Sequence, residues 1–212
     1  MRWTYGDSWE RYPIEPGQTW TERMTGSRLA VSDILRGLPG FMCDADMIYC
    51  DPPFGAGALN SFYHKAGIDE RHTFAEFADA MEEAISSISP SICYLEIGRQ
   101  NVDVYRKILA DLYLVVQEWG IVYSKKSPML LLRGGSSSQE FDFSGCDDRD
   151  APLLAMQHEQ FSCVADFCMG RGLTALSAFS EGKRFVGTDL NKRRLAVTID
   201  RIARQGGVWI CG

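Results

Sequence analysis

The chain has 212 residues, enough for one substantial domain. With 45% hydrophobic and 24% charged residues, global disorder is excluded, and no apolar run is long enough to span a bilayer. The formal net charge of −6 argues against a protein held on nucleic acid by charge alone, so any such role needs a local basic face or a partner.

No apolar stretch follows the first basic residue, so no secretory signal is read and a cytoplasmic setting is expected. Seven cysteines at irregular spacing, with no CxxC pair, argue against a disulfide framework or a zinc site. They read as mostly buried, reduced thiols. A single domain over residues 1–212 is expected, with no separate target-recognition domain.

In chain order, residues 1–27 hold Trp3, Tyr5, Trp9, Tyr12 and Trp20, an aromatic arm expected to pack on the core. Short apolar runs then alternate with helical patterns, the mark of an α/β domain. Strands are predicted at Leu29–Val31, Asp46–Cys50, Ile92–Ile97, Leu112–Gln117, Gly120–Ser124, Val164–Phe167 and Phe185–Thr188. Their continuous apolar character suits a parallel sheet covered on both faces.

Residues 55–72 read as a loop. Thr73-Phe74-Ala75-Glu76 is a capping box, and Phe77, Ala78, Met81, Ala84, Ile85 and Ile88 follow at helical spacing until Pro90. Residues 133–150 read as a second loop, carrying five acids between Glu140 and Asp150 against the single Arg149. Loops of this length in a compact domain usually bind something or are disordered. Helices are predicted from Leu173 to Glu181 and from Lys192 to just before Gly206-Gly207. Seven basic residues lie between Lys183 and Arg204, and much of that helix is expected to face away from the active side.

Two motifs carry chemistry. Asp51-Pro52-Pro53-Phe54 follows a predicted strand, where an α/β sheet places ligands. Two prolines stiffen the turn and remove two N–H groups while leaving their carbonyls as acceptors. A carboxylate, a fixed carbonyl and an aromatic face together suit a planar, amino-bearing ring. An ordinary strand-ending turn would use the same residue types.

The second motif, Asp166-Phe167-Cys168-Met169-Gly170-Arg171-Gly172-Leu173-Thr174, joins a strand to a helix. Its glycines let a ligand approach the backbone. Asp189 ends the next predicted strand, where an acid commonly bonds ribose hydroxyls. Gly170, Gly172 and Ala175 also fit G-x-G-x-x-A, so a nicotinamide oxidoreductase is a rival. That fingerprint normally opens a sheet, whereas here it closes the chain and leaves Asp51-Pro52-Pro53-Phe54 unexplained.

Together the two motifs resemble the beta-class amino-methyltransferases, in which a D-P-P-[FYW] motif precedes D-P-F-x-G-S-G-T-T. The resemblance extends to residues 31–39, 46–54, 92–97 and a late hairpin at 118–126. Phe167, Cys168 and Arg171 depart from the family's Pro, Phe and Ser, and the segment before the cofactor strand is reduced to Asp150-Ala151-Pro152.

The resemblance implies a Rossmann-like, circularly permuted domain with a seven-stranded, mostly parallel sheet and helices on both faces. It implies S-adenosylmethionine as cofactor, held by Asp33, Asp166, Cys168, Gly170, Gly172, Thr174 and Asp189. Of these, Asp33 would meet the adenine edge, Asp166 the amino group and Asp189 the ribose. The implied reaction is methylation of the exocyclic N6 amine of adenine in DNA, with Asp51, Pro52, Pro53 and Phe54 catalytic. The amine is delocalised into its ring, and Asp51 with the Pro52 carbonyl would favour its pyramidal form while Phe54 stacks on the base. The base must be flipped out or single-stranded.

RNA adenine methylation and a non-catalytic, partner-dependent subunit are the alternatives. A second copy or a specificity partner is compatible with the small size. Lys125, Lys126 and Arg133 are the expected phosphate contacts, and no metal or membrane partner is implied.

Overall fold

The computed structural model describes residues 5–124 and 127–212. Lys125 and Lys126 therefore lie outside the described residues, as does Trp3. The elements run α1 (Ser8–Arg11), β1 (Thr19–Glu22), β2 (Arg28–Val31), two 3-10 turns (Ile34–Arg36 and Gly40–Asp44) and β3 (Met47–Cys50). Then come α2 (Ala56–Ala66), α3 (Phe74–Ile88), β4 (Ile92–Ile97), α4 (Val102–Leu112), β5 (Val115–Tyr123) and β6 (Ser127–Gly135). The chain continues through α5 (Ala151–His158), β7 (Cys163–Asp166), α6 (Leu173–Ser180), β8 (Arg184–Asp189), α7 (Lys192–Ala203) and β9 (Trp209–Cys211).

Among the described residues the sheet has nine strands in the order β5-β6-β4-β3-β7-β8-β2-β1-β9. This corrects the expected seven-stranded sheet. Its centre, β4-β3-β7-β8-β2, is parallel, and an antiparallel pair flanks each side. The five central strands thus end on one edge, where a ligand crevice forms in open α/β sheets. Helices α2–α4 bury Leu59, Phe77, Met81 and Leu109 on one face, against Ile48, Cys50 and Leu95. Helices α5–α7 bury Ala155, Leu176, Leu195 and Ile199 on the other, against Met47, Tyr49 and Val164. Helices on both faces were expected, and the sheet between them is mixed.

Residues 55–72 are mostly helix rather than loop. Leu59 and Tyr63, four apart, are buried on one side of α2, and Gly67 caps it in the left-handed conformation at φ 81°. The capping box of α3 forms as read: Thr73 Oγ1 accepts from Glu76 N at 3.2 Å, and Glu76 Oε2 accepts from Thr73 N at 2.7 Å.

The two strands expected around Trp119-Gly120 are one, β5, hairpinned to β6. Gly134 in β6 lets the Tyr113 ring approach, since a Cβ there would meet it at 2.4 Å. Residues 136–150 pack on the sheet, burying Phe143 and bridging Val122 to Asp147. The described part of the aromatic arm packs as expected. Tyr12 meets Trp20 edge-on at 6.0 Å, and Lys192 lies over the Trp9 ring at 4.6 Å. Among the described residues no helix is long and apolar enough to cross a membrane.

Candidate active site

The two motifs meet because β3 and β7 are parallel neighbours, with Met47 opposite Val164 and Ile48 opposite Ala165. The Asp51 turn and the Gly170 loop leave the same sheet edge side by side. The turn is pinned from behind: Tyr105 Oη donates to the Pro53 carbonyl at 2.8 Å and Asn101 Nδ2 to that of Phe54 at 3.0 Å.

Two adjoining cavities of about 110 and 470 Å³ open above this edge and share Asp51, Phe62, Cys168, Gly170 and Arg194. The smaller is an apolar slot lined by Leu59, Tyr63 and Phe167, with Asp33 and Asp189 among its polar groups. The larger has a floor of Tyr49, Glu96, Asp148 and Asp166, and arginines 149, 171, 194 and 201 also line it.

The carboxyls are electrostatically unusual. Asp51 is open to cleft water yet walled by protein. That desolvation, then Asp166 and Asp148, raises its pKa, while Arg194 opposes the shift. Burial pushes Asp166 up to about 7, against bonds from Thr174 and the Cys168 N–H. Burial also raises Glu96 strongly, Asp51 adds to this, and Tyr49 Oη donates to Glu96 Oε1.

Asp189 is raised by burial and accepts Gly170 N and Asn191 N, both at 2.7 Å. It therefore anchors the glycine loop as well as lining the slot. Asp33 accepts Leu35 N at 3.0 Å and Tyr63 Oη at 2.6 Å, which fixes the carboxylate at the cavity wall. Gly170 and Gly172 have φ of 52° and 72°. A Cβ on Gly172 would meet Thr198 at 2.4 Å, so the loop rests directly on α7.

The structure thus brings together Asp51, Asp33, Asp166, Cys168, Gly170, Thr174 and Asp189 around the two cavities. Gly172 braces the loop, Pro52 is buried in the turn, and Pro53, also buried, lines the smaller cavity. Phe54 does not join the cavity walls. Its ring packs on Gly98, and Phe62 and Tyr123 are the aromatic residues facing the opening.

Arg133 is not a surface cation. Its Nε meets Glu159 Oε1 at 2.6 Å with side-chain exposures of 4% and 7%, and Nη1 donates to the Ser137 carbonyl at 2.6 Å. The phosphate contact expected there is corrected to a buried structural ion pair. Helix α7, expected to face away, lines the larger cavity with Arg194, Val197 and Arg201.

Sequence reasoning passed over Glu96, Phe62, Asp148 and Arg194 as site residues. Glu96 had one available signal, an acid interrupting an otherwise apolar strand.

Neither a family model nor a curated protein sequence matches the chain. Solved structures do match its fold. The M1.HpyAVI–SAM complex aligns over 82% of this chain and 98% of its own, at TM-score 0.56 and 12% identity. TTHA0409 from Thermus thermophilus, complexed with S-adenosyl-L-methionine, aligns over 84% and 94%, at TM-score 0.57 and 15% identity. The cytosine-N4-specific PvuII DNA methyltransferase aligns over 90% and 94%, at TM-score 0.50 and 9% identity.

Proposed function

We propose that this chain is an S-adenosylmethionine-dependent DNA methyltransferase that acts on the N6 amine of adenine. One observation carries the reading: the Asp51-Pro52-Pro53 turn and the Gly170–Gly172 loop leave adjacent parallel strands and open onto one cleft. The solved structures of like fold that are named with S-adenosylmethionine or as a DNA methyltransferase support it.

The residues fit such a cofactor. The apolar slot with Asp33 and Asp189 suits an adenosine, and the glycine loop admits a chain lying close to the backbone. When bound, the cofactor supplies an electrophilic methyl group. Asp51 and the Pro52 carbonyl accept the two N–H bonds of the target amine, and Asp51 takes the proton the amine sheds. Phe62, at the junction of the cavities, is placed to stack on an extruded base. Holding both reactants in one cleft replaces a bimolecular encounter by a local one. Arg194 and Arg201 supply positive charge beside the opening, and Arg133 has no part in binding.

An Asp at the first motif position favours adenine, since cytosine-N4 relatives more often carry Ser there. The likeness in fold to the PvuII enzyme keeps cytosine N4 as the second reading.

The test is incubation of the protein with labelled S-adenosylmethionine and plasmid DNA or RNA, followed by digestion to nucleosides. N6-methyldeoxyadenosine is the expected product, and Asp51→Ala should remove it while cofactor binding persists. Label in N4-methyldeoxycytidine selects the second reading. Tight NAD binding without S-adenosylmethionine binding overturns both.

A further inference from the structure

Glu96 is a carboxyl that the proposed reaction has not yet used. It lies near the end of β4, is 4% exposed, and forms part of the floor of the larger cavity. Strands β3 and β4 are parallel with Tyr49 opposite Tyr94 and Cys50 opposite Leu95. The next pair in that register is Asp51 beside Glu96.

Side chains alternate along a strand, so Tyr49 and Asp51 share a face, and Tyr94 and Glu96 share the same one. Two contacts fix this face. The Tyr49 and Tyr94 rings stack at 5.7 Å, and Tyr49 Oη donates to Glu96 Oε1. Two carboxyls, one just past the end of β3 and the other on β4, therefore line one cavity. Like charges so placed resist ionising together.

The surroundings decide which one keeps the proton. Asp51 opens to cleft water and has the Arg194 guanidinium acting on it. Glu96 is buried and faces Tyr49 from β3, Asp166 from β7 and Asp148 from the segment before α5. Tyr49 favours the ionised form of Glu96. The burial and the two further acids outweigh it, and a neutral carboxyl still accepts the Tyr49 bond through its carbonyl oxygen.

We propose that Asp51 and Glu96 form a carboxyl pair that carries one proton at neutral pH, held on Glu96. Asp51, pushed up to about 7, is then the member of the pair that ionises first and becomes the acceptor for the target amine. The chemical role rests on the methyl-transfer reading, but the pair itself does not. Glu96 is a positioning residue, since it acts through Asp51.

The test is an NMR titration of the protein with 13C-labelled Asp and Glu carboxyls, between pH 4 and 9, in the parent, Glu96→Gln and Asp51→Asn. Asp51→Asn should lower the Glu96 midpoint by at least about one pH unit, because Glu96 otherwise ionises beside an Asp51 that is already charged, whereas in Glu96→Gln a neutral amide replaces a neutral carboxyl and the Asp51 midpoint should stay in place. A Glu96 midpoint that stays in place in Asp51→Asn overturns the pair, and an Asp51 midpoint that falls in Glu96→Gln overturns the placing of the proton on Glu96. This readout needs no turnover, so it stands even if methyl transfer fails. Where methyl transfer is measured, the acid limb of the Glu96→Gln rate profile, scaled to its own maximum, should coincide with the parent's, since the amide stands in for the protonated carboxyl. An acid limb that moves shows Glu96 charged while Asp51 titrates and overturns the link to catalysis.

Discussion

Arg133 and Glu159 neutralise each other where water barely reaches, and Tyr94 Oη also donates to Glu159 Oε1, at 2.7 Å. Removing one partner of a buried pair leaves an uncompensated charge, which typically costs about 3–5 kcal/mol. Arg133→Ala should therefore lower the unfolding free energy by about that much in a denaturant titration. The DNA affinity of the folded fraction should stay unchanged. Asp166 gives a pH-dependent counterpart. Burial pushes its folded pKa up to about 7, far above an unfolded carboxyl, so between those values the folded state binds the extra proton. Its stabilising contribution is complete at low pH and is lost as pH rises through the window. Asp166→Asn, which cannot ionise, should match the parent near pH 4 and exceed it by about 4 kcal/mol at pH 8 in thermal or denaturant melts. At this scale the legible residues were those in local patterns: Asp51 beside two prolines, Asp166 before a glycine pair. Glu96 and Arg194 reach the cleft only through strand register and helix placement, which no short window of sequence encodes.

Helix α7 shows how one element serves two sides. Leu195, Ala196, Ile199 and Ile202 are buried in the core, while Arg194, Val197 and Arg201 face the cleft. Arg194 also lies over the Phe62 ring of α2 at 4.9 Å, tying together the two helices that flank the opening. Arg201 donates to the Arg171 carbonyl at 2.9 Å, which places its charge beside the glycine loop. If Arg201 neutralises one phosphate, Arg201→Ala should weaken DNA binding and reduce the slope of log K against log salt by about 0.9. An unchanged slope in a fluorescence titration would remove Arg201 from the nucleic-acid path. Helices with strong local signals were legible, α3 through its capping box above all. Helix α2 was not, because Gly57, Asn60 and Ser61 read as loop chemistry and only tertiary burial of Leu59 and Tyr63 overrides them. Strand β6 was hidden by Pro128 and the Gly134-Gly135 pair, which look like breakers until the Tyr113 ring is seen against Gly134.

At the scale of the whole molecule, the parallel centre of the sheet is assembled from distant parts of the chain. Strand β7 enters between β3 and β8, and β8 in turn carries β2, with Leu29 opposite Gly187. The order of the motifs and the presence of helices on both faces were legible. The antiparallel pairs at each side were not, since they depend on which edges remain open once the centre has closed. The same arrangement governs how the chain reaches its native state. The parallel centre closes only through contacts of long sequence separation, which places folding in the slow, high-contact-order regime. Until β7 and β8 have been made, β3 has one bare edge and β2 lacks its parallel neighbour, both open to pairing with another chain. A chain divided within residues 136–150 should therefore give two pieces that are each largely unstructured by circular dichroism. Mixed, or made together, they should recover the native spectrum, because each holds the missing neighbours of the other.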